Sequence, residues 1–195
     1  MNLENKNLRY KILDTIVKAK EGHIPSSFSI VDIINYIYTN KVKKNKNHFI
    51  LSKGHGAMAL YVVLEKFKLL KKKDLESYGK INSILGGHPD TTKIKNVETS
   101  TGSLGHGFLT GLGMALGYKI KNKNKDIYCL IGDGECHEGT IWEGANIGAN
   151  NKLNNFFAIV DNNKSAKQLM PIDDLYKKWN AFGWNVEKCN GHSSN

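Results

Sequence analysis

Arginine is nearly absent from this sequence: among 28 basic side chains only Arg9 is an arginine, and the rest are lysines. That scarcity argues against a nucleic-acid reader, because a lysine ammonium cannot reproduce the bidentate guanidinium contact to guanine. The formal net charge of +10 is therefore read as a biased surface. Its lysines lie beside asparagines in runs such as KVKKNKN and KIKNKNK, which suit solvated loops, and a long-range attraction for phosphorylated substrates is compatible with them. Cysteine is also scarce. Cys129, Cys136 and Cys189 are odd in number and form no CxxC pair, which suggests neither a disulfide framework nor a zinc knuckle and fits reduced thiols. No stretch approaches the roughly 20 apolar residues of a membrane-spanning helix, and MNLENKNLRYK lacks the apolar core of a secretory signal. No membrane and no nucleic-acid partner is expected, and the setting should be cytoplasmic.

What is present suffices for one sizeable core. At 195 residues and 40% hydrophobic content the chain reads as one domain over residues 1–195. Apolar residues at Leu8, Ile12, Ile16 and Ala19 carry the spacing of an amphipathic helix from Leu3 to about Lys20. The stretch GHIPSSF reads as a loop, with Ser29 as N-cap of a second helix, Ile30 to Tyr38. HFILS reads as a buried strand, followed by the turn SKGHG and an apolar helix from about Ala57 to Leu70. In TGSLGHGFLTGLGMALGYKI the glycine spacing lets a helix lie close to neighbouring backbone. IYCLI and FFAIVD are short apolar runs separated by a helical stretch, which implies a parallel pair. A helix from about Asp174 to Ala181 and a strand from Trp184 to Lys188 repeat the alternation. The fold class is α/β: a doubly wound, mostly parallel sheet flanked by helices.

The chemistry concentrates where the two strands end. One closes on Gly132-Asp133-Gly134-Glu135, the other on Asp161-Asn162-Asn163-Lys164-Ser165. Ligands of open α/β sheets collect at the carboxyl ends of adjacent strands, so Asp133 and Asn163 can converge there. One carboxylate and one amide match the sparse oxygen supply from which Mg²⁺ is bound alongside phosphate oxygens and water. Gly132 and Gly134 would let a diphosphate approach the backbone, and the following helix would direct free N–H groups at it.

GDGECHEGTIWEGANIGA followed by FFAIVDNNKS is similar to the metal motif of thiamine-diphosphate enzymes, and GHIPSSFSIVDII, FILSKGHG, GGHPD and TGSLGHG resemble successive transketolase signatures, together covering about Lys18 to Gly191. The resemblance implies the thiamine-diphosphate-binding subunit of a split transketolase. In it Asp133, Asn163 and the Ser165 carbonyl would bind Mg²⁺. Gly132, Gly134 and Glu135 would lie by the diphosphate, and Gly102, Ser103 and Leu104 by the cofactor rings. His23, His55 and His88 would face cofactor and donor sugar as catalytic residues, His55 also touching the cofactor. Glu138 and Glu143 match acidic positions near the subunit boundary. Most transketolases carry Gln at the positions of His106 and His137. The activity implied is transfer of a two-carbon ketol unit between sugar or sugar-phosphate substrates.

Nothing here matches the pyrimidine-binding domain that activates the cofactor, so a separate C-terminal subunit is expected, in a heterotetramer of two of each chain. The chain closes at GHSSN, where such domains usually continue through another helix, strand and histidine-bearing loop. That places part of the site in a longer chain, in the partner, or outside a shortened variant. Two other classes share the features: a thiamine-dependent synthase or decarboxylase, as in deoxyxylulose-phosphate synthesis or 2-oxo-acid oxidation, and a non-catalytic cofactor-binding subunit. Independently of family, five of seven histidines follow a glycine, and a loop imidazole suits proton transfer near neutral pH. His48 and His192 read as structural or exposed, Cys136 as a space-filler, and Trp142, Trp179, Trp184, Phe108 and Leu109 as packing residues.

Overall fold

A computed structural model describes residues 3–42, 46–168, 170–172 and 174–193; residues 43–45 of the KVKKNKN run and the last two of GHSSN lie outside the described residues. Helix α1 spans Leu3–Ala19 and buries Leu8, Ile12 and Ile16 along one stripe. Helix α2 spans Ile24–Ile37 and starts six residues earlier than expected. Pro25 sits in its first turn, where a missing N–H costs nothing, so the chain turns helical directly after His23. Ser29 is consequently inside the helix rather than its N-cap, and its hydroxyl is free for a tertiary contact described below.

Strand β1, His48–Leu51, leads through a tight turn at Gly54–Gly56 into helix α3, Ala57–Lys66, and a short helix α4, Lys72–Glu76. Helix α5, His106–Ile120, precedes β2, Ile127–Gly132. Helix α6, Gly139–Asn150, joins β2 to β3, Phe156–Asp161, and helix α7, Leu175–Ala181, follows with Asp174 capping two of its free N–H groups. The three strands form one parallel sheet in the order β1-β2-β3.

Side chains alternate across this sheet as the strand period of two requires. Phe49, Leu51, Tyr128 and Leu130 face a core made by α1, α2 and α3. Ile50, Ile127, Cys129 and Ile131 face the opposite core, made by α5, α6 and α7. Helices thus cover both faces, as expected of a doubly wound fold. No helix among the described residues is long and apolar enough to cross a membrane.

The expected strand from Trp184 to Lys188 does not form. Trp184 turns inward instead: its indole donates to the Ala145 carbonyl at 2.8 Å and its ring packs edge-on against Trp179. Anchoring that side chain against α6 holds the segment off the sheet. Phe108 is fully buried beside Trp179 and Trp184, so the aromatic residues pack as the sequence suggests.

Helix α5 is pressed against β1 at Gly107, where an added Cβ would stand 2.7 Å from the Ser52 Cα. On its outer face Gly113 has nothing within 4 Å. Gly107→Ala should therefore lose about 1–3 kcal/mol by overpacking, whereas Gly113→Ala should gain about 0.5–1 kcal/mol from reduced backbone entropy. Urea unfolding midpoints of the two variants, moving in opposite directions, check this.

Candidate functional site

Parallel register brings the carboxyl ends of all three strands to one edge, with Gly132 paired to Asp161. Asp133 leaves β2 there. It is 2% exposed, its Oδ1 accepts the Gly134 N–H at 2.9 Å and lies 3.4 Å from the donating Ser165 hydroxyl, and its Oδ2 is buried with no partner. Asn163 leaves β3 beside it. The Asn163 amide N–H₂ donates to Asp161 Oδ2 at 3.0 Å, and its Oδ1 accepts the Ser165 N–H at 2.9 Å. The structure therefore brings Asp133, Asn163 and Ser165 to one place. Among the described residues no cluster of three or more His, Cys, Asp or Glu side chains could hold a metal; what Asp133 offers is one unpartnered carboxylate oxygen, with the Asn163 amide nearby.

The helix expected to aim free N–H groups at this point is preceded by a 3-10 turn, Gly134–His137. Both glycine amides of the GDG turn are spent inside the protein: Gly134 N–H on Asp133, and Gly132 N–H on Glu135 Oε2 at 2.9 Å. Glu135 is turned inward, where Oε1 also accepts from the Ser52 hydroxyl at 2.7 Å and from Gly105 N–H at 2.9 Å. Burial raises its pKa and outweighs these three donors and nearby Lys53, which act in the lowering direction.

Three residues to which the sequence assigned no role at the site, Lys53, Ser29 and Asp161, complete the edge. Lys53, 2% exposed, donates to Asp161 Oδ2 at 2.6 Å, and Ser29 donates to both Asp161 oxygens at 2.7 and 2.8 Å. Asp161 was legible in principle, since it ends an apolar strand run as Asp133 nearly does. A buried lysine after a strand leaves no such signal. A cavity of about 200 Å³ beside Asp133 is walled by Asn162, Lys164, Lys167 and Lys188 among others, so some of the lysine excess read as plain surface gathers at the site.

The three expected histidines are also brought together. His23, at the start of α2, packs edge-on against His55 with ring centroids 5.8 Å apart. His88 lies beside Gly102, where an added Cβ would stand 3.3 Å from its Cγ. The His88 loop is held by the Tyr61 hydroxyl, 3.0 Å from the Gly86 and His88 carbonyls, and by Thr101 N–H donating to Pro89 O. Gly105 ends the adjoining turn with φ of 83°, a left-handed conformation that favours glycine. Ser103 and Leu104 lie in this turn, Ser103 exposed. Burial, and then the Lys53 ammonium and the two neighbouring imidazoles, lower the His55 pKa from 6.5 to about 4.

The remaining candidates fall outside this group. His106 is exposed at the start of α5, Glu138 and Glu143 are exposed, and His137 Nε2 is buried without a partner. His48 is structural: Nδ1 lies 2.7 Å from Glu98 and Nε2 2.7 Å from the Tyr118 hydroxyl. His192 contacts the Asp32 carboxylate that Arg9 grips through two bonds of 2.6 Å. Burial pushes the Cys136 thiol up to about 12, which makes it inert.

Residues 2–195 match the family profile described as transketolase, thiamine diphosphate binding domain. The chain belongs to this family. It is 35% identical to one chain of an apulose-4-phosphate transketolase from Phocaeicola vulgatus, itself named as a subunit, over 98% of this chain and 72% of that protein. It is 32% identical to a 6-deoxy-6-sulfo-D-fructose transketolase subunit from a Clostridium species, over 96% and 73%. Human transketolase is 35% identical over 95% of this chain, which spans only 32% of that longer protein. The crystal structure of a Campylobacter jejuni transketolase superposes with a TM-score of 0.82 at 26% identity, covering 99% of this chain and 34% of that one. A transketolase-family thiamine-diphosphate-binding domain is thus the frame in which the strand-end residues stand.

The lowered pKa of His55 has a signed consequence. Its folded value lies below the unfolded 6.5, so the unfolded chain binds the extra proton between these values. The stability that the neutral ring contributes is complete above pH 6.5 and is lost as the pH falls towards about 4. Melting temperatures should fall between pH 7 and 5, and His55→Gln should flatten that slope. An NMR titration should find the ring still neutral at pH 6.

Proposed function

We propose that this chain is the cofactor-binding subunit of a two-chain, magnesium-dependent transketolase-like transferase. It transfers a two-carbon ketol unit between sugar or sugar-phosphate substrates and acts only with a separate pyrimidine-binding subunit, two copies of each forming a heterotetramer. The observation that carries the reading is the orphaned Asp133 Oδ2 at the strand ends. A buried carboxylate oxygen without a donor is costly unless a cation meets it. Asn163 Oδ1 and the Ser165 carbonyl are the further oxygens that would complete the protein's share of a Mg²⁺ shell, phosphate and water supplying the rest. The donors fit the group. The two-chain arrangement is supported by the relatives named as subunits, of which this chain covers nearly three quarters.

Bound thiamine diphosphate supplies the carbanion chemistry that ketol transfer needs. The residues of this chain bind, orient and handle protons around it. Gly102 and Leu104 would flank its rings, with Ser103 between them. Gly134, with only Ala166 near an added Cβ, leaves room for a phosphate. His55, held neutral at physiological pH, can accept a proton at one ring nitrogen while donating from the other. His23, whose ring packs against His55, and His88 would serve as groups for the hydroxyls and carbonyl of a sugar. Lys164, Lys167 and Lys188 add positive charge for anionic substrates without the rigid fork of arginine.

Asp133→Ala should abolish Mg²⁺-dependent binding of thiamine diphosphate in the assembled enzyme, as read by calorimetry. The melting temperature should hardly move, because the substitution also removes an unpaired buried charge and costs only the Gly134 cap, about 1 kcal/mol. Unchanged affinity would remove the metal role. Turnover dependent on pyruvate rather than a ketose, after mixing with the partner, would overturn the transferase assignment.

A further inference from the structure

Glu135 sits one residue beyond the GDG turn, yet it is 1% exposed and faces into the protein. Its three donors come from three segments. Ser52 follows β1 and opens the stretch that holds His55. Gly105 closes the turn that holds Gly102 and Leu104 and caps α5. Gly132 ends β2 immediately before Asp133. We infer that Glu135 is a positioning residue whose carboxylate sets the span between the GDG turn, at the metal and diphosphate end of the cofactor, and the two loops at its ring end. The inference rests on the cofactor reading proposed above and gives Glu135 a supporting role in place of direct contact.

The chemistry of the donors explains why the residue is an acid. Two are main-chain N–H groups, which cannot reverse. The Ser52 hydroxyl accepts from Phe108 N–H at 3.0 Å, which commits its proton to Glu135. Only a group that accepts at both oxygens satisfies all three. A glutamine of the same shape must turn its NH₂ towards Gly132 N–H in one orientation and towards Gly105 N–H in the other. Either way the NH₂ is forced against a buried main-chain N–H, so the side chain cannot stay seated and all three segments lose their common acceptor. Lys53 lies close enough to stabilise the negative charge.

The test is Glu135→Gln in the full chain, read by amide hydrogen exchange, and in the assembled enzyme, read by calorimetry with Mg²⁺ plus thiamine diphosphate and with Mg²⁺ plus inorganic diphosphate. Exchange at residues 52–56, 101–105 and 132–135 should accelerate together by about tenfold or more, with Cys129 and Leu130 unchanged. Affinity for thiamine diphosphate should fall about tenfold or more, while inorganic diphosphate, which needs only the GDG end, stays within about threefold. Equal losses for both ligands, or acceleration in a single segment, would overturn the inference. A wild-type enzyme that binds neither ligand would strike the cofactor reading instead, and the exchange pattern would still decide the span. Should the variant not fold, Ser52→Ala should speed exchange at 52–56 and Phe108 and leave 132–135 at wild-type rates; unchanged exchange everywhere would refute the positioning role.

Discussion

The site depends on a buried ion pair across the ends of two strands that are not neighbours. Lys53, just past β1, reaches Asp161 at the end of β3, and the Lys53 side chain passes within 4 Å of where a Cβ on Gly132 of β2 would stand. Both partners are nearly excluded from water. Such a pair contributes little net stability compared with well-packed apolar residues, but losing one member costs about 3–5 kcal/mol because the other is left charged and buried. Its value here is geometric. Asp161 also receives Ser29 from α2 and the Asn163 amide, so one carboxylate sets how β1, α2 and the Asn163 loop sit against each other.

Lys53 has a second effect through space. Its ammonium disfavours a second cation nearby, and after burial it is the largest cause of the lowered His55 pKa. His55 is therefore kept neutral by burial first, and then by this fixed positive charge and two further imidazoles, in the form able to take up a proton. The tight turn at Gly54–Gly56 makes both effects possible, placing Lys53 inward and His55 towards the loops within one helical turn. Close packing of α5 at Gly107 then locks the same stretch from the other face of the sheet.

Much of this was legible in the sequence, for identifiable reasons. The three strands, α1, α6 and α7 follow from periodic or continuous apolar runs whose pattern tertiary packing does not override. The convergence of Asp133 with Asn163 follows from parallel topology alone, because both lie in the polar stretches just beyond adjacent strands. The histidines could be grouped only through family resemblance, since His23, His55 and His88 lie far apart along the chain. Three features resisted. The start of α2 was hidden because Pro25 reads as a breaker unless its place in the first turn is known. Trp184 to Lys188 has strand-like composition, and only the slot against α6 reveals that the indole is better satisfied inside. Lys53, Ser52 and Glu135 are polar residues whose burial depends on contacts between distant segments, which no local pattern encodes.

Charge balance links these hidden residues to the visible motif. At the strand ends Lys53 stands against three buried carboxylates, Asp133, Glu135 and Asp161. Asp161 is matched by Lys53 directly, and Glu135 by three donors with Lys53 at longer range. Asp133 is matched least, with one oxygen bare. Asp133 is thus the one of the three whose negative charge no buried side chain answers directly, while Lys164, Lys167 and Lys188 line the cavity beside it. A fold stabilised for its own sake would have paired or replaced Asp133, as it has paired its two neighbours. The imbalance is confined to the single carboxylate beside Asn163 and Ser165, so the residues that make the strand ends rigid and the residue whose charge is unanswered are separate, and the latter is the one that the proposed Mg²⁺ would meet.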